Sequence, residues 1–251
     1  MMAILRDLIG FWAINQEVEN LIIEEKMSDQ LKKALLNVRK AYALLEDYQQ
    51  RVVELMDFVR GELGAIRYNY RSHSGLGKYF DNIYSENDAG RLFLPFMDVS
   101  FLWLNGGGKD KHGDAYNHQP GDLLIDARVC SNTANCWPSF KRNLQKEEES
   151  RLPQQGSSEL RLYVLQRITA ASDKYNWRDD VWWYIEPDEY NKFNELINCR
   201  RHEGKYQMYA ESFDLENLGD EKAVRDVMNG FKQRVMKAFR PKCPVNRFEA
   251  E

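Results

Sequence analysis

Three aspartates carry the clearest chemical suggestion in this 251-residue chain. Asp98 lies in "MDVSFLWLN", and Asp122 and Asp126 bracket "DLLID". Both runs are rich in the β-branched, aromatic and aliphatic residues of buried strands. Carboxylates at strand ends suit a hard divalent cation such as Mg²⁺, which can activate water for hydrolysis. Arg128 follows Asp126 by two residues. Its guanidinium is permanently protonated and tunes water poorly.

The predicted order of a helical segment, two strands, a helix and a strand resembles the core of the PD-(D/E)xK nucleases. The resemblance covers Met97 to Ile168 and implies a Mg²⁺-dependent nuclease or related hydrolase using Asp98, Asp122 and Asp126. "DAR" at 126–128 stands where that family has (D/E)xK, so its lysine is absent.

Thiols and imidazoles offer a second chemistry. Cys130 and Cys136 are separated by five residues, and Cys199 and His202 by two. Those four side chains are the ligand types of a closed structural zinc site. The bland alternative is incidental free cysteines, since four in a chain this long imply no disulfide framework. Cys199 and His202 could also pair as nucleophile and base, although no orienting acid or oxyanion hole accompanies them. The stretch between "FLWL" and "DLLID" holds Asp110, His112, Asp114 and His118 beside three consecutive glycines. Imidazole and carboxylate are metal ligands, but a glycine run argues for a mobile connection. It does not match the phosphate-cradling pattern, and it precedes a strand where such a loop opens a helix.

Nucleic acid is the third candidate ligand. "IRYNYRSHSGLGKYF" interleaves Arg67, Arg71, His73 and Lys78 with Tyr68, Tyr70, Tyr79 and Phe80. Rings that stack on bases beside cations that meet phosphates bind single strands. The competing reading packs the tyrosines inward and leaves the cations in water. An overall charge of −4 gives no global case for a polyanionic ligand. The basic run from Arg225 to Arg247 could still extend such a track locally.

The elements that must position these groups fall into two parts. From Ser28 to Ile66, Leu31, Leu35, Val38, Tyr42, Leu45, Gln49, Val52, Met56, Val59, Leu63 and Ile66 alternate at spacings of four and three. That is a heptad seam of about five repeats broken once by Gln49. Ala34, Ala41, Tyr48 and Leu55 widen it. Ser28 and Asp29 look like an N-cap. Ile4, Leu8, Phe11, Trp12, Val18, Leu21 and Ile22 also follow helical spacing. Residues 1–66 therefore predict a long N-terminal helix or a helical hairpin, coiled-coil-like in either case.

Residues 67–91 read as a linker and 92–240 as an α+β domain, with a C-terminal tail at 241–251. Within the domain, "LFLPFMDVSFLWL", "DLLIDARV", "LRLYVLQRI", "VWWYI" and "KYQMYAESF" predict strands. About three helices are expected: from Ser139 to Arg151, from near Pro187, and from Asp220 to Phe239. This pattern predicts a mixed or antiparallel sheet.

Hydrophobic residues at 43% exclude a disordered chain. The apolar N-terminus carries Arg6 and Asp7 and lacks the layout of a signal peptide. No apolar run reaches the length of a membrane span, so the expectation is a cytoplasmic protein. A long seam without a convincing catalytic constellation points to a non-enzymatic interaction or regulatory protein. It would oligomerise or dock through residues 28–66, on itself or on a protein partner, and present an α+β surface, with nucleic acid as one possible ligand. The Mg²⁺ hydrolase is the alternative.

Overall fold

A computed structural model describes the backbone of residues 2–72, 98–105, 119–133, 156–169 and 175–239, and the side chains from residue 29 onward. The helix expected over 139–151, the loop over 106–118, Lys78 and Cys136 lie outside the described residues. The chain divides into two compact units, Met1–Arg51 and Val52–Glu251.

Helix α1 spans Met2–Glu62 without a break, the single long helix in place of the hairpin. Ser28 and Asp29, expected to cap a helix start, sit inside it. A cap is only a preference of short polar side chains, and helix-forming residues on both sides carry the helix through. Its C-terminus is well specified. Gly64 takes the left-handed conformation (φ 61°). Its N–H bonds to Gly61 O at 3.0 Å, and the Ala65 N–H returns to Arg60 O at 3.1 Å, the paired bonds of a Schellman stop. Asn105 Nδ2 donates to Leu63 O at 2.9 Å and Lys232 Nζ to Glu62 O at 3.0 Å, so two distant residues satisfy the terminal carbonyls.

Among the described residues six strands follow: β1 Ile66–Ser72, β2 Asp98–Asn105, β3 Leu123–Cys130, β4 Glu159–Arg167, β5 Leu196–Asn198 and β6 Tyr206–Asp214. They form one sheet in the order β1-β2-β3-β4-β6-β5, and every pairing is antiparallel. Residues 67–72, read as the start of a linker, thus form an edge strand together with Ile66, read as the last seam residue, with an irregularity between Arg67 and Asn69. Strand β4, expected to be half-buried, is buried along both faces from Leu160 onward. Helix α2, Glu221–Phe239, closes the described fold. Among the described residues no helix is long and apolar enough to cross a membrane.

The register sorts side chains onto two faces. One face carries Phe101 and Trp103, Ile125 and Ala127, Leu162 and Val164, and Phe213. It meets the two helices. Phe213 packs edge-on against Phe231 of α2 at 5.9 Å. Arg234 forks onto the buried Glu211 at 2.8 and 2.7 Å, and Tyr209 donates to the same carboxylate at 2.7 Å. Val52, Met56, Val59 and Leu63 are all buried, so the C-terminal stretch of the heptad seam is core.

The opposite face is covered by the segment from Tyr175 to His202. Trp177, Val181, Trp182, Ile185 and Tyr190 form one buried cluster with Leu102, Leu124, Leu165 and Met208. "VWWYI", expected to be a strand, is a π-helical turn (Trp177–Val181) followed by a 3-10 turn (Trp182–Tyr184). The reason is visible once Trp177 is included. The buried Trp177, Val181, Trp182 and Ile185 recur at helical spacing, whereas Trp183 and Tyr184 face solvent. Asn176 caps the turn by accepting from Arg178 N and Asp179 N at 2.9 and 3.0 Å. The helix expected from Pro187 is only a 3-10 turn, Glu189–Asn191, before β5. There the buried Glu189 carboxylate accepts from Glu186 N and Arg200 N at 2.8 and 3.0 Å. Asn194 then turns left-handed (φ 61°) and donates its N–H to Ala210 O at 2.7 Å.

Candidate functional site

The three aspartates sit on one face of β2 and β3 but do not converge. Asp98 is level with Cys130, and Asp126 with Leu102. Four residues of strand, about 13 Å, separate those two levels, and Asp122 lies about 13 Å beyond Asp126. Among the described residues no three His, Cys, Asp or Glu side chains are grouped to hold a metal ion. The expected Mg²⁺ triad is therefore not assembled by the sheet.

Each aspartate has a different occupation. Asp98 receives a two-pronged ion pair from Arg128, at 2.6 and 2.5 Å, with both side chains buried. Burial works against the Arg128 charge, but the adjacent Asp98 carboxylate more than offsets it, so the guanidinium titrates above its ordinary value. Asp122 accepts from Gln119 N at 2.6 Å and organises the turn into β3. Asp126 is fully buried and accepts from Trp182 Nε1 at 2.6 Å. Its Oδ1 has no hydrogen-bond partner among the described residues. Burial pushes its pKa up to about 6, although Trp182 and Ser100 both favour the ionised form.

These groups belong to a larger pattern. Successive rungs across β2, β3 and β4 read Asp98, Cys130, Glu159; then Ser100, Arg128, Arg161; then Leu102, Asp126, Tyr163. An acidic rung faces a basic one, and Arg161 pairs with Glu159 at 2.9 Å. Two buried arginines directly opposite each other would repel, and the flanking carboxylates offset that cost. Sequence reasoning noticed Arg128 only as a missing lysine and overlooked Arg161, Glu159 and Trp182. The available signal was charge inside otherwise apolar strands, at Arg128 in "LLIDARVC" and Arg161 in "ELRLYVLQR".

Of the expected zinc ligands that are described, Cys130 is kept apart from Cys199. Cys130 is level with Glu159, and Glu159 with Asp214, whereas the Cys199 N–H bonds to Tyr206 O at the other end of β6. Eight residues of strand, about 26 Å, separate those levels. Both thiols are free and buried, and burial pushes Cys199 up to about 12, unlike a metal-binding or nucleophilic thiolate. His202 points its Nε2 at Val181 O (3.2 Å) and packs on Tyr206. Burial lowers its pKa, so it serves as a neutral clamp under the Trp177 turn.

Of the residues expected to meet nucleic acid, four lie on β1. Arg67 pairs with Asp57 at 2.5 Å. Tyr68 turns inward and donates to Asn176 Oδ1 at 3.0 Å. Tyr70 is 70% exposed. Arg71 lies 3.6 Å over the Trp183 ring. A cleft of about 340 Å³ runs between β1 and the end of α1, lined by Met56, Arg60, Arg67, Tyr70, Phe101 and Trp103 among others. Among the described residues the edge strand β1 has one sheet neighbour, β2.

Among the described residues, exposed apolar side chains are concentrated elsewhere, on α1. Leu31, Leu35, Val38, Tyr42 and Leu44 are 48–72% exposed. All but Leu44 belong to the heptad seam in which Leu45 and Gln49 are half-buried and Val52, Met56, Val59 and Leu63 are 0–4% exposed.

A helix feeding a six-stranded antiparallel sheet, with a second helix on one face and an irregular covering segment on the other, defines the class as α+β. A family description, PM0109, matches residues 28–240. The uncharacterized protein PM0109 of Pasteurella multocida (strain Pm70) is 32% identical over 215 residues, covering 85% of this chain and 98% of that protein. The chain belongs to the PM0109 family. The match starts at residue 28, so the seam-bearing part of α1 belongs to the family's shared unit. No solved structure matches the chain.

Proposed function

We propose that this protein is a non-enzymatic interaction protein that docks or oligomerises through residues 29–51 of α1 and presents its α+β domain as a binding surface. The observation that carries the reading is the divided fate of one seam. Val52, Met56, Val59 and Leu63 are consumed by the domain core, whereas Leu31, Leu35, Val38 and Tyr42 stand in solvent. A solvated helix of this composition gains little from its own hydrogen bonds and depends on burial of its apolar stripe. Among the described residues the β1 edge, with the exposed Tyr70 and with Arg67, which pairs with Asp57, is the surface best suited to a ligand such as single-stranded nucleic acid. The Mg²⁺ hydrolase reading has less support, because Asp98 is committed to Arg128 and the three acids are spread along the strands.

Sedimentation velocity on the intact chain, across a wide concentration range, tests the docking reading. The wild type is expected to sediment as an assembly. Leu35→Glu with Tyr42→Glu should convert it to a monomer whose sheet still unfolds cooperatively. A wild type that stays monomeric at every concentration removes the oligomerisation claim.

A further inference from the structure

The exposed part of the seam carries more information than its apolarity. Leu35, Tyr42 and Gln49 occupy one core position of the heptad, and Leu31, Val38 and Leu45 the other. The flanking positions differ sharply. One flank holds Lys32, Arg39 and Glu46; the other holds Ala34, Ala41 and Tyr48. Charge is also polarised along the segment. Lys32, Lys33, Arg39 and Lys40 outnumber Asp29 in its first half, and Glu46 and Asp47 outnumber Arg51 in the second.

From this pattern we infer that residues 29–51 pair antiparallel with the same segment of a second copy of this chain. The inference rests on the self-association reading above and specifies its partner and geometry. In the register centred on Lys40, Leu35 faces the partner's Leu45, Tyr42 faces the partner's Val38, and Gln49 faces the partner's Leu31. Lys32, which also pairs with Asp29 of its own helix at 3.0 Å, then meets the partner's Glu46 on the charged flank, and two-fold symmetry forms that pair twice. Arg39 lies beside the partner's Arg39 near the axis, the one repulsive contact. On the other flank Ala41 meets the partner's Ala41, and two small side chains let the helices approach closely. Gln49 falls at the end of the paired segment, where its amide remains within reach of water.

A parallel pair lacks these features. It sets the basic first half of one helix beside the same basic half of the other. Its flanking contacts join Ala34 with the partner's Arg39 and Ala41 with the partner's Glu46, so no opposite charges meet. The antiparallel register also fits the available length. Residue 29 lies opposite residue 51 of the second copy; Leu45 and Gln49 at that end are half-buried, and the next seam residue, Val52, is only 4% exposed.

Disulfide trapping in the full chain tests the geometry. Two variants, Leu35→Cys and Leu45→Cys, are oxidised separately and as a mixture, and linked peptides are mapped by mass to separate them from native thiols. The mixture is expected to give a 35–45 cross-link between chains, with little self-linking of Leu35→Cys alone. As a second readout, Glu46→Lys should weaken self-association about tenfold, by turning two attractive pairs repulsive. Adding Lys32→Glu should restore it. Self-linking of Leu35→Cys, or indifference to the charge swap, in a chain that still assembles overturns the antiparallel geometry and leaves the docking reading standing. A monomeric wild type overturns both.

Discussion

Asp126 gives the sharpest test of the energetics inside the sheet. It is fully buried, and its carboxyl is raised from 3.8 to about 6. A raised acid pKa means that the folded chain holds a proton which the unfolded chain releases. No penalty exists below 3.8. The penalty grows as pH rises from 3.8 to about 6 and is constant above that. Its full size is about 3 kcal/mol, at ~1.4 kcal/mol per pKa unit. In Asp126→Asn the amide oxygen can still accept from Trp182 Nε1, while the amide nitrogen takes the place of the oxygen that lacks a partner. An unsatisfied donor there costs about 1 kcal/mol or more. The variant should therefore be more stable than wild type by about 1–2 kcal/mol above pH 6, with the advantage vanishing as pH falls towards 4. Urea unfolding followed by tryptophan fluorescence at a series of pH values measures this difference. A variant destabilised equally at every pH would refute the reasoning, since it would mean that Asp126 titrates alike in the folded and the unfolded chain.

Three further outcomes follow from named contacts. Asp98→Asn should cost about 3–5 kcal/mol in chemical denaturation by leaving Arg128 buried without its counter-charge, and adding Arg128→Met should recover much of the loss. Met56→Ala should lower domain stability by about 2–5 kcal/mol, whereas Leu35→Ala should change the unfolding of the sheet by less than about 0.5 kcal/mol; differential scanning calorimetry of both variants separates the two halves of the seam. Gly64→Ala should cost about 1–2 kcal/mol, because a Cβ disfavours the left-handed stop of α1; the shift in thermal midpoint reports it.

Much of the architecture was legible in local pattern. The seam from Leu31 to Leu63 specified one helix, and the amphipathic run at Val224, Val227, Met228, Phe231 and Val235 specified α2, because helical spacing is a property of the chain alone. Strands β2, β3, β4 and β6 were legible from their apolar runs. The Trp177–Tyr184 turn was not, since a five-residue apolar run has no resolvable period of its own. Strand β1 was hidden by its polar composition; "RYNYRS" is an edge strand, and only pairing with β2 makes it one.

The same division governs the candidate site. The sequence alone determined that Asp98, Asp122, Asp126, Cys130, Cys199 and His202 were available for chemistry, and that residues 29–51 carry an apolar stripe. The tertiary structure decided what each could do. Register is a non-local quantity, and it set Asp98 against Arg128, spread the three acids along the strands, and sent Cys130 and Cys199 to opposite ends of the sheet. It also decided where the seam stops being core, because only the packed domain shows that burial reaches back to Val52 and leaves Leu31, Leu35, Val38 and Tyr42 in solvent.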